Sequence, residues 1–293
     1  MRSFSPEHDD SIVPASSAEY PARLRELRRP PDPLYARGML ACAAAPAVAI
    51  VGTRHATPYG VRTARALATA CARAGIAVIS GLAQGIDAAA HVAALEAGGR
   101  TVAVLGTGLD RCYPRTHHAL QQRIGEEGLL LSELPAGSTG HPGSFPERNR
   151  IIAALADITV VVEAPAQSGA LITADRALEL GRTIACVPNA IDVPSAAGSN
   201  RLLKAHAEPL LHPDDLLALL QMTPLPPHGP VLSGAAAACW AAIADGKDEP
   251  STIAAHSGLS QREVTIALGL LEIDGLIQFD AVGRITPTVL ITA

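Results

Sequence analysis

Six short apolar runs recur between residues 47 and 188: AVAIVG (47–52), IAVIS (76–80), TVAVLG (101–106), LLLSE (129–133), ITVVV (158–162) and TIACVP (183–188). Between them, over 60–74, 86–97, 116–127, 148–155 and 170–180, small and apolar residues repeat at helical spacing. A strand that is apolar throughout must be covered on both faces, and helices returning between strands do this. The pattern predicts an α/β domain, an extended Rossmann-like parallel sheet wound on both sides.

The flanks read differently. Residues 1–19 are polar and irregular and are expected as a flexible tail. Residues 20–47 suggest a short helix, then an extended segment with Pro30, Pro31 and Pro33 leading into the sheet. The helix carries Arg23, Arg25, Arg28 and Arg29, either a basic patch or, by preference, a solvated face. PDDLLALLQ (213–221) closes the large domain as a helix, with Asp214 and Asp215 suited to its first turn. The prolines of 222–230 mark a linker. Residues 231–293 read as a separate small domain. A helix at 235–244, a helix–turn–helix in STIAAHSGLSQREVTIALGLLEIDGLI and a hairpin in QFDAVGRITP make a winged helix.

Composition narrows the function classes. Of 293 residues 48% are hydrophobic and 17% charged, which is a folded chain. The N-terminus lacks the apolar core of a signal peptide, and no apolar run approaches the roughly 18 residues of a membrane span. Five scattered cysteines form no metal-ligand spacing and fit a reduced cytoplasm. Net charge is −5, and residues 231–293 hold three basic and seven acidic side chains. Lys204 and Lys247 are the sole lysines. Any phosphate site must therefore be built locally, from a few arginines and backbone amides.

An open parallel sheet binds ligands at the carboxyl ends of its strands. Those ends carry GTRHATPYG (52–60), SGLAQGID (80–87), GTGLDRCYP (106–114) and EAPAQSGALIT (163–173), with FPERNR (145–150) just before a helix. Glycines and serines before helices offer amides that hold anions without net charge. Arg54, Arg148 and Arg150 suit bidentate phosphate contact, and Phe145 offers a face to a base. Against this, Arg148 and Arg150 are equally placed to pair with Glu147, Glu163 or Asp157, and Phe145 to fill its loop. Asp87 reads as a first-turn residue of its helix, with His91 four residues on as its hydrogen-bond partner. His117 and His118 read as solvent-facing, and Ser168–Gly169 suits anion binding better than acyl chemistry. Neither a dinucleotide fingerprint nor a P-loop is present, and no nucleophile–base pair stands out.

Taken in order, GTRHATPYG, SGLAQGIDAAAH, AVLGTGLDRCYP, SELPAGS, FPERNRIIA, VVEAPAQSGALITA and GRTIACVP resemble the DNA-processing protein DprA (Smf) family over about residues 20–290. The resemblance implies a cytoplasmic homodimer that binds single-stranded DNA and helps load RecA recombinase in DNA uptake and natural transformation. It implies no chemical step and no cofactor. On these motifs the DNA-binding residues are Gly52, Thr53, Arg54, Ser80, Gly81, Gln84, Gly85, Phe145, Arg148, Asn149, Arg150, Ser168, Gly169 and Thr173. Gln84 stands where the family pattern has Arg or Lys, and Asn189 where it has Gly. The N-terminal helical domain common in the family is expected to be absent or reduced to a remnant. Two other readings use the same fold. One is a nucleotide-binding sensor. The other is a nucleotide-metabolising, phosphoribohydrolase-like enzyme, whose PGGxGT-type loop is replaced here by EAPAQSGALIT. The acidic winged helix points to partner contact, self-association or autoregulation rather than duplex DNA.

Overall fold

The structure, a computed structural model, describes residues 10–44, 46–141, 143–222, 232–273, 276–280 and 283–287. The chain divides into two compact units, Met1–Pro224 and Leu225–Ala293.

In the first unit the apolar runs become β3 (Ala47–Val51), β4 (Ala77–Ser80), β5 (Thr101–Leu105), β6 (Leu129–Ser132), β7 (Ile158–Val161) and β8 (Thr183–Cys186). They lie in one nine-stranded sheet with β1 (Ser11–Val13), β2 (Leu34–Gly38) and β9 (Glu208–Pro209), ordered β1-β2-β6-β5-β4-β3-β7-β8-β9. From β6 to β9 every pairing is parallel; β2 runs antiparallel to β6, and β1 to β2. Successive side chains of a strand point to opposite faces, so each buried strand feeds two cores. Val48 and Ile50 join the side covered by α1 (Pro58–Arg73), α2 (Ile86–Glu96) and α7 (Pro213–Leu219). Ala47, Ala49 and Val51 join the side covered by α4 (Ser144–Leu155) and α5 (Gly169–Glu179). The remaining helices are α3 (His118–Glu127) and α6 (Ala197–Ala205).

Several expectations change. Residues 11–13 are not tail but an edge strand, paired with Leu34–Ala36. The proline-rich segment contains β2, and Arg23 is not merely solvated. Its guanidinium meets Asp157 at 2.5 Å and donates to the Leu155 carbonyl. The α6–β9 segment gave no sequence signal, because a nine-residue helix and a two-residue exposed strand are too short for periodicity to register. The helix expected over 148–155 begins earlier, at Ser144, so that all of FPERNR lies inside it. Pro146 sits in the first turn of α4, where a missing N–H costs nothing, so it marks a helix start rather than a boundary. No described helix is long and apolar enough to cross a membrane.

The second unit holds α8 (Gly234–Ala244), α9 (Pro250–Ser257), α10 (Gln261–Ile273) and an antiparallel pair, β10 (Ile277–Phe279) with β11 (Ile285–Pro287). Its core gathers Cys239, Ile243, Ile253, Val264, Leu268, Leu271 and Ile277. Beyond Met222 the linker expected at 222–230 lies outside the described residues.

Candidate nucleic-acid interface

β3 has β4 on one side and β7 on the other, so the strand order turns at β3. The loops leaving β3 and β7 diverge there and leave an opening. A cleft of about 730 Å³ occupies it. It is lined by Gly52–His55 after β3, by Pro165 and Gln167–Ala170 after β7 with Thr173 of α5, and by Phe145, Arg148 and Asn149 of α4. Asp87 of α2, Tyr113 and Thr139–His141 complete the wall.

Of the residues expected at the site, Gly52, Thr53, Arg54, Phe145, Arg148, Asn149, Ser168, Gly169 and Thr173 therefore share this cleft. Gly81 and Gln84 line a hollow of about 40 Å³ next to it, together with Arg54, Tyr113, Phe145 and Arg148. Ser80, Gly85 and Arg150 line neither. Ser80 is buried and donates to the Ile50 carbonyl at 2.7 Å. Gly85 adopts φ 79° at the start of α2, where a Cβ would strike the Thr53 carbonyl, so its role is the close approach of two loops.

Arg150 departs from expectation for a geometrical reason. Residues two apart on a helix are about 200° apart around it, so with FPERNR inside α4, Arg148 and Arg150 face opposite ways. Arg150 pairs with Glu133 and lies 3.5 Å from Glu147. Arg148 faces the sheet and is 6% exposed. Its Nη1 donates to the carbonyls of Gly81 (2.7 Å) and Val104, and its Nε donates to Asn149 Oδ1 (3.1 Å). Arg148 is thus chiefly a brace between the ends of β4 and β5. Asn149 in turn donates to the Gly169 carbonyl at 3.1 Å and fixes the start of α5.

The expectation of open amides at every helix start is corrected by two carboxylates. Asp87 accepts from the backbone N–H groups of Gly81 (3.1 Å) and Ala83 (3.4 Å), filling the loop that leads from β4 into α2. Buried Glu163 accepts from Thr57 N (3.1 Å) and Thr57 Oγ1 (2.8 Å) at the start of α1 and from Ser195 Oγ. At α5, Ser168 Oγ accepts from Ala170 N, and Gly169 is exposed to the cleft. The positive end of α5 is therefore the helix start that faces an incoming anion here.

Beneath the floor lies a buried polar cluster. Burial raises the Asp87 carboxyl above its ordinary pKa, opposed by Arg148 and by the amides it accepts from. No Asp87–His91 hydrogen bond forms. Thr101 Oγ1 donates to the Val78 carbonyl and so accepts from His91 Nδ1 at 2.7 Å, turning the ring away from Asp87. Burial first, then Arg148, pushes His91 down to about 3. His117 is half-buried, its Nδ1 3.0 Å from the Leu82 carbonyl, rather than solvent-facing.

Above the floor the cleft wall is aromatic. Phe145 packs on Gly106, where a Cβ would lie 2.8 Å from its ring. Its centroid is 5.1 Å from that of Tyr113, with the planes 45° apart. Tyr113 is 52% exposed. Sequence reasoning missed Tyr113; the signal was an aromatic at a strand end, but 32 residues of chain separate it from Phe145. His55, Gln167 and Thr139–His141 were missed likewise. Among the described residues no group of acidic, histidine or cysteine side chains has the geometry of a metal site.

Residues 11–221 match the family model for DNA recombination-mediator protein A. Protein Smf of Synechocystis is 46% identical over 233 residues, 77% of this chain and 58% of that protein's own length. A putative DNA processing protein DprA of Mycobacterium tuberculosis is 40% identical over 288 residues, covering 94% of this chain and 74% of the relative. Among solved structures, DprA of Streptococcus pneumoniae aligns with TM-score 0.69 and 37% identity, over 72% of this chain and 74% of that one. DprA of Helicobacter pylori, solved for its single-stranded DNA binding mode, aligns with TM-score 0.67 and 30% identity, over 74% and 98%. A family match over most of the first unit, together with a shared fold, makes this chain a member of the DNA recombination-mediator protein A family.

Proposed function

We propose that the cleft binds single-stranded DNA and that the protein acts without a chemical step, holding incoming strands and helping to load RecA recombinase onto them. The observation that carries this reading is the Phe145–Tyr113 pair set beside an exposed Arg54, which has no hydrogen-bond or ion-pair partner among the described residues, and the exposed Gly169 at the start of α5. An aromatic platform suits a base, and a guanidinium with a helix start suits its phosphate. The groove is sequence-tolerant by construction, since every base has a stacking face. The Helicobacter relative's single-stranded DNA binding supports the reading. So does the commitment of the buried acid, Asp87, to backbone amides rather than to a proton-transfer partner. A cytoplasmic homodimer acting in natural transformation, with no cofactor, completes the proposal.

We read the second unit as a winged helix that meets a protein partner rather than duplex DNA. On its α10, Ile266, Leu270 and Ile273 are exposed, and the residues from 231 onward hold seven acidic against three basic side chains. Acidic surface is repelled by a phosphate backbone, and apolar surface offers it no charge to pair with.

The test is fluorescence anisotropy on labelled oligo-dT, with matched duplex as competitor, across a salt series. Tight binding that weakens steeply with salt and resists duplex is expected. A mononucleotide would also fit the cleft volume; absence of binding to oligo-dT together with thermal stabilisation by nucleotides would replace this reading with the sensor reading.

A further inference from the structure

We propose that Gln84 reads the edge of the base resting on the Phe145–Tyr113 pair, giving the cleft a preference for adenine. The inference rests on the single-strand reading of the cleft and adds a specificity that stacking alone does not supply.

Three observations converge on it. First, the Gln84 amide is exposed and has no hydrogen-bond partner among the described residues, so it is not committed to holding its own loop. Second, it shares the 40 Å³ hollow with Tyr113, Phe145 and Arg54. The hollow accepts a few water-sized groups, so an exocyclic group at the edge of a base stacked on the aromatic pair can enter it and meet Gln84. Third, position 84 is neutral among arginines. Arg54 lines the same hollow, and Arg148 closes its floor. A charged side chain at 84 would add phosphate attraction, whereas a carboxamide adds one donor beside one acceptor.

That donor–acceptor pair decides the base. Adenine presents a donor next to an acceptor on both free edges, N6–H with N7 and N6–H with N1. Guanine offers such a pairing on its O6/N1–H edge alone, because its N7/O6 edge holds two acceptors, which match a guanidinium or ammonium but not an amide. Pyrimidines offer the pairing on one edge only and a smaller stacking face. The strand's backbone stays with Arg54 and α5, so Gln84 selects among bases without altering the counterions released.

The experiment compares two unlabelled competitors that do not fold on themselves, alternating dA–dC and alternating dT–dC, displacing a labelled oligo-dT from the full chain. The wild-type protein is expected to prefer the adenine competitor by about fivefold or more, the low end of one bidentate base contact. In Gln84→Ala the two competitors become equal while the slope of affinity against salt is retained. In Gln84→Arg the adenine preference is lost and the slope steepens by about 0.7, one phosphate contact on a single strand. Equal competition in the wild type, or a preference that survives Gln84→Ala, overturns the proposal while leaving the single-strand reading intact. Failure of the wild type to bind oligo-dT at low salt overturns both.

Discussion

Arg148 donates to the carbonyl of Gly81 across 67 residues of chain, at 2.7 Å, and a Cβ on Gly81 would lie 2.5 Å from its Nη2. The glycine makes room for the guanidinium, and the guanidinium closes the end of β4 over the cleft floor. A second carbonyl, that of Val104, ties β5 to the same group. Removing the side chain leaves buried acceptors unpaired and Asp87 without its nearest compensating charge. Arg148→Ala should therefore lower stability by about 3 kcal/mol, read by urea denaturation. Arg148→Lys should recover little of it, because a single ammonium on a flexible stem does not reproduce a planar fork. A variant as stable as wild type would show that Arg148 is no brace.

Arg150 should behave oppositely to the role its motif suggests. It pairs with Glu133, outside the cleft. Arg150→Ala is expected to cost about 1 kcal/mol of stability and to leave single-strand affinity within about twofold in an anisotropy titration, below what one lost charge contact does. A loss of tenfold or more would return Arg150 to the binding surface.

Arg54 is the exposed arginine of the cleft wall. Arg54→Ala should weaken oligo-dT binding, reduce the slope of log affinity against log salt by about 0.7, and leave the urea midpoint unchanged. An unaltered slope would remove Arg54 from phosphate contact.

Tyr113 and Phe145 should act as a pair. Tyr113→Ala is expected to weaken single-strand binding by about 1–3 kcal/mol with the salt slope retained, and Tyr113→Phe to retain affinity, because the face matters and the hydroxyl does not. Near-wild-type affinity in Tyr113→Ala would assign the platform to Phe145 alone.

His91 makes stability depend on pH. Its folded pKa of about 3 lies below the ordinary 6.5. Between these values the unfolded chain binds the proton and the folded protein does not, so stability falls as pH falls through this window. From pH 7.5 to pH 5 the loss from this group should be about 2 kcal/mol. Asp87, shifted upward by burial, acts in the opposite sense as pH falls through its folded pKa. In urea titrations, His91→Asn should flatten the dependence between pH 5 and 7.5; an unchanged slope would place the sensitivity elsewhere.

The sheet was legible because strand and helix identity are written in neighbouring residues. A run such as AVAIV is apolar at every position, and nothing but burial on both faces accommodates it. That same pattern located the loops at the carboxyl ends, and so the neighbourhood of the cleft. Family motifs then named nine of the residues that line it. Local sequence did not show which side of α4 each arginine takes, since helical spacing over 148–155 does not say which face meets the sheet. Nor did it show that Asp87 had already occupied the loop before α2 and Glu163 the start of α1. The Glu163–Thr57 contact spans 106 residues, and Tyr113 reaches Phe145 through the closure of the sheet. Periodicity reports whether a residue is buried; only the packed chain decides what it meets there, because each partner is delivered by a different strand end.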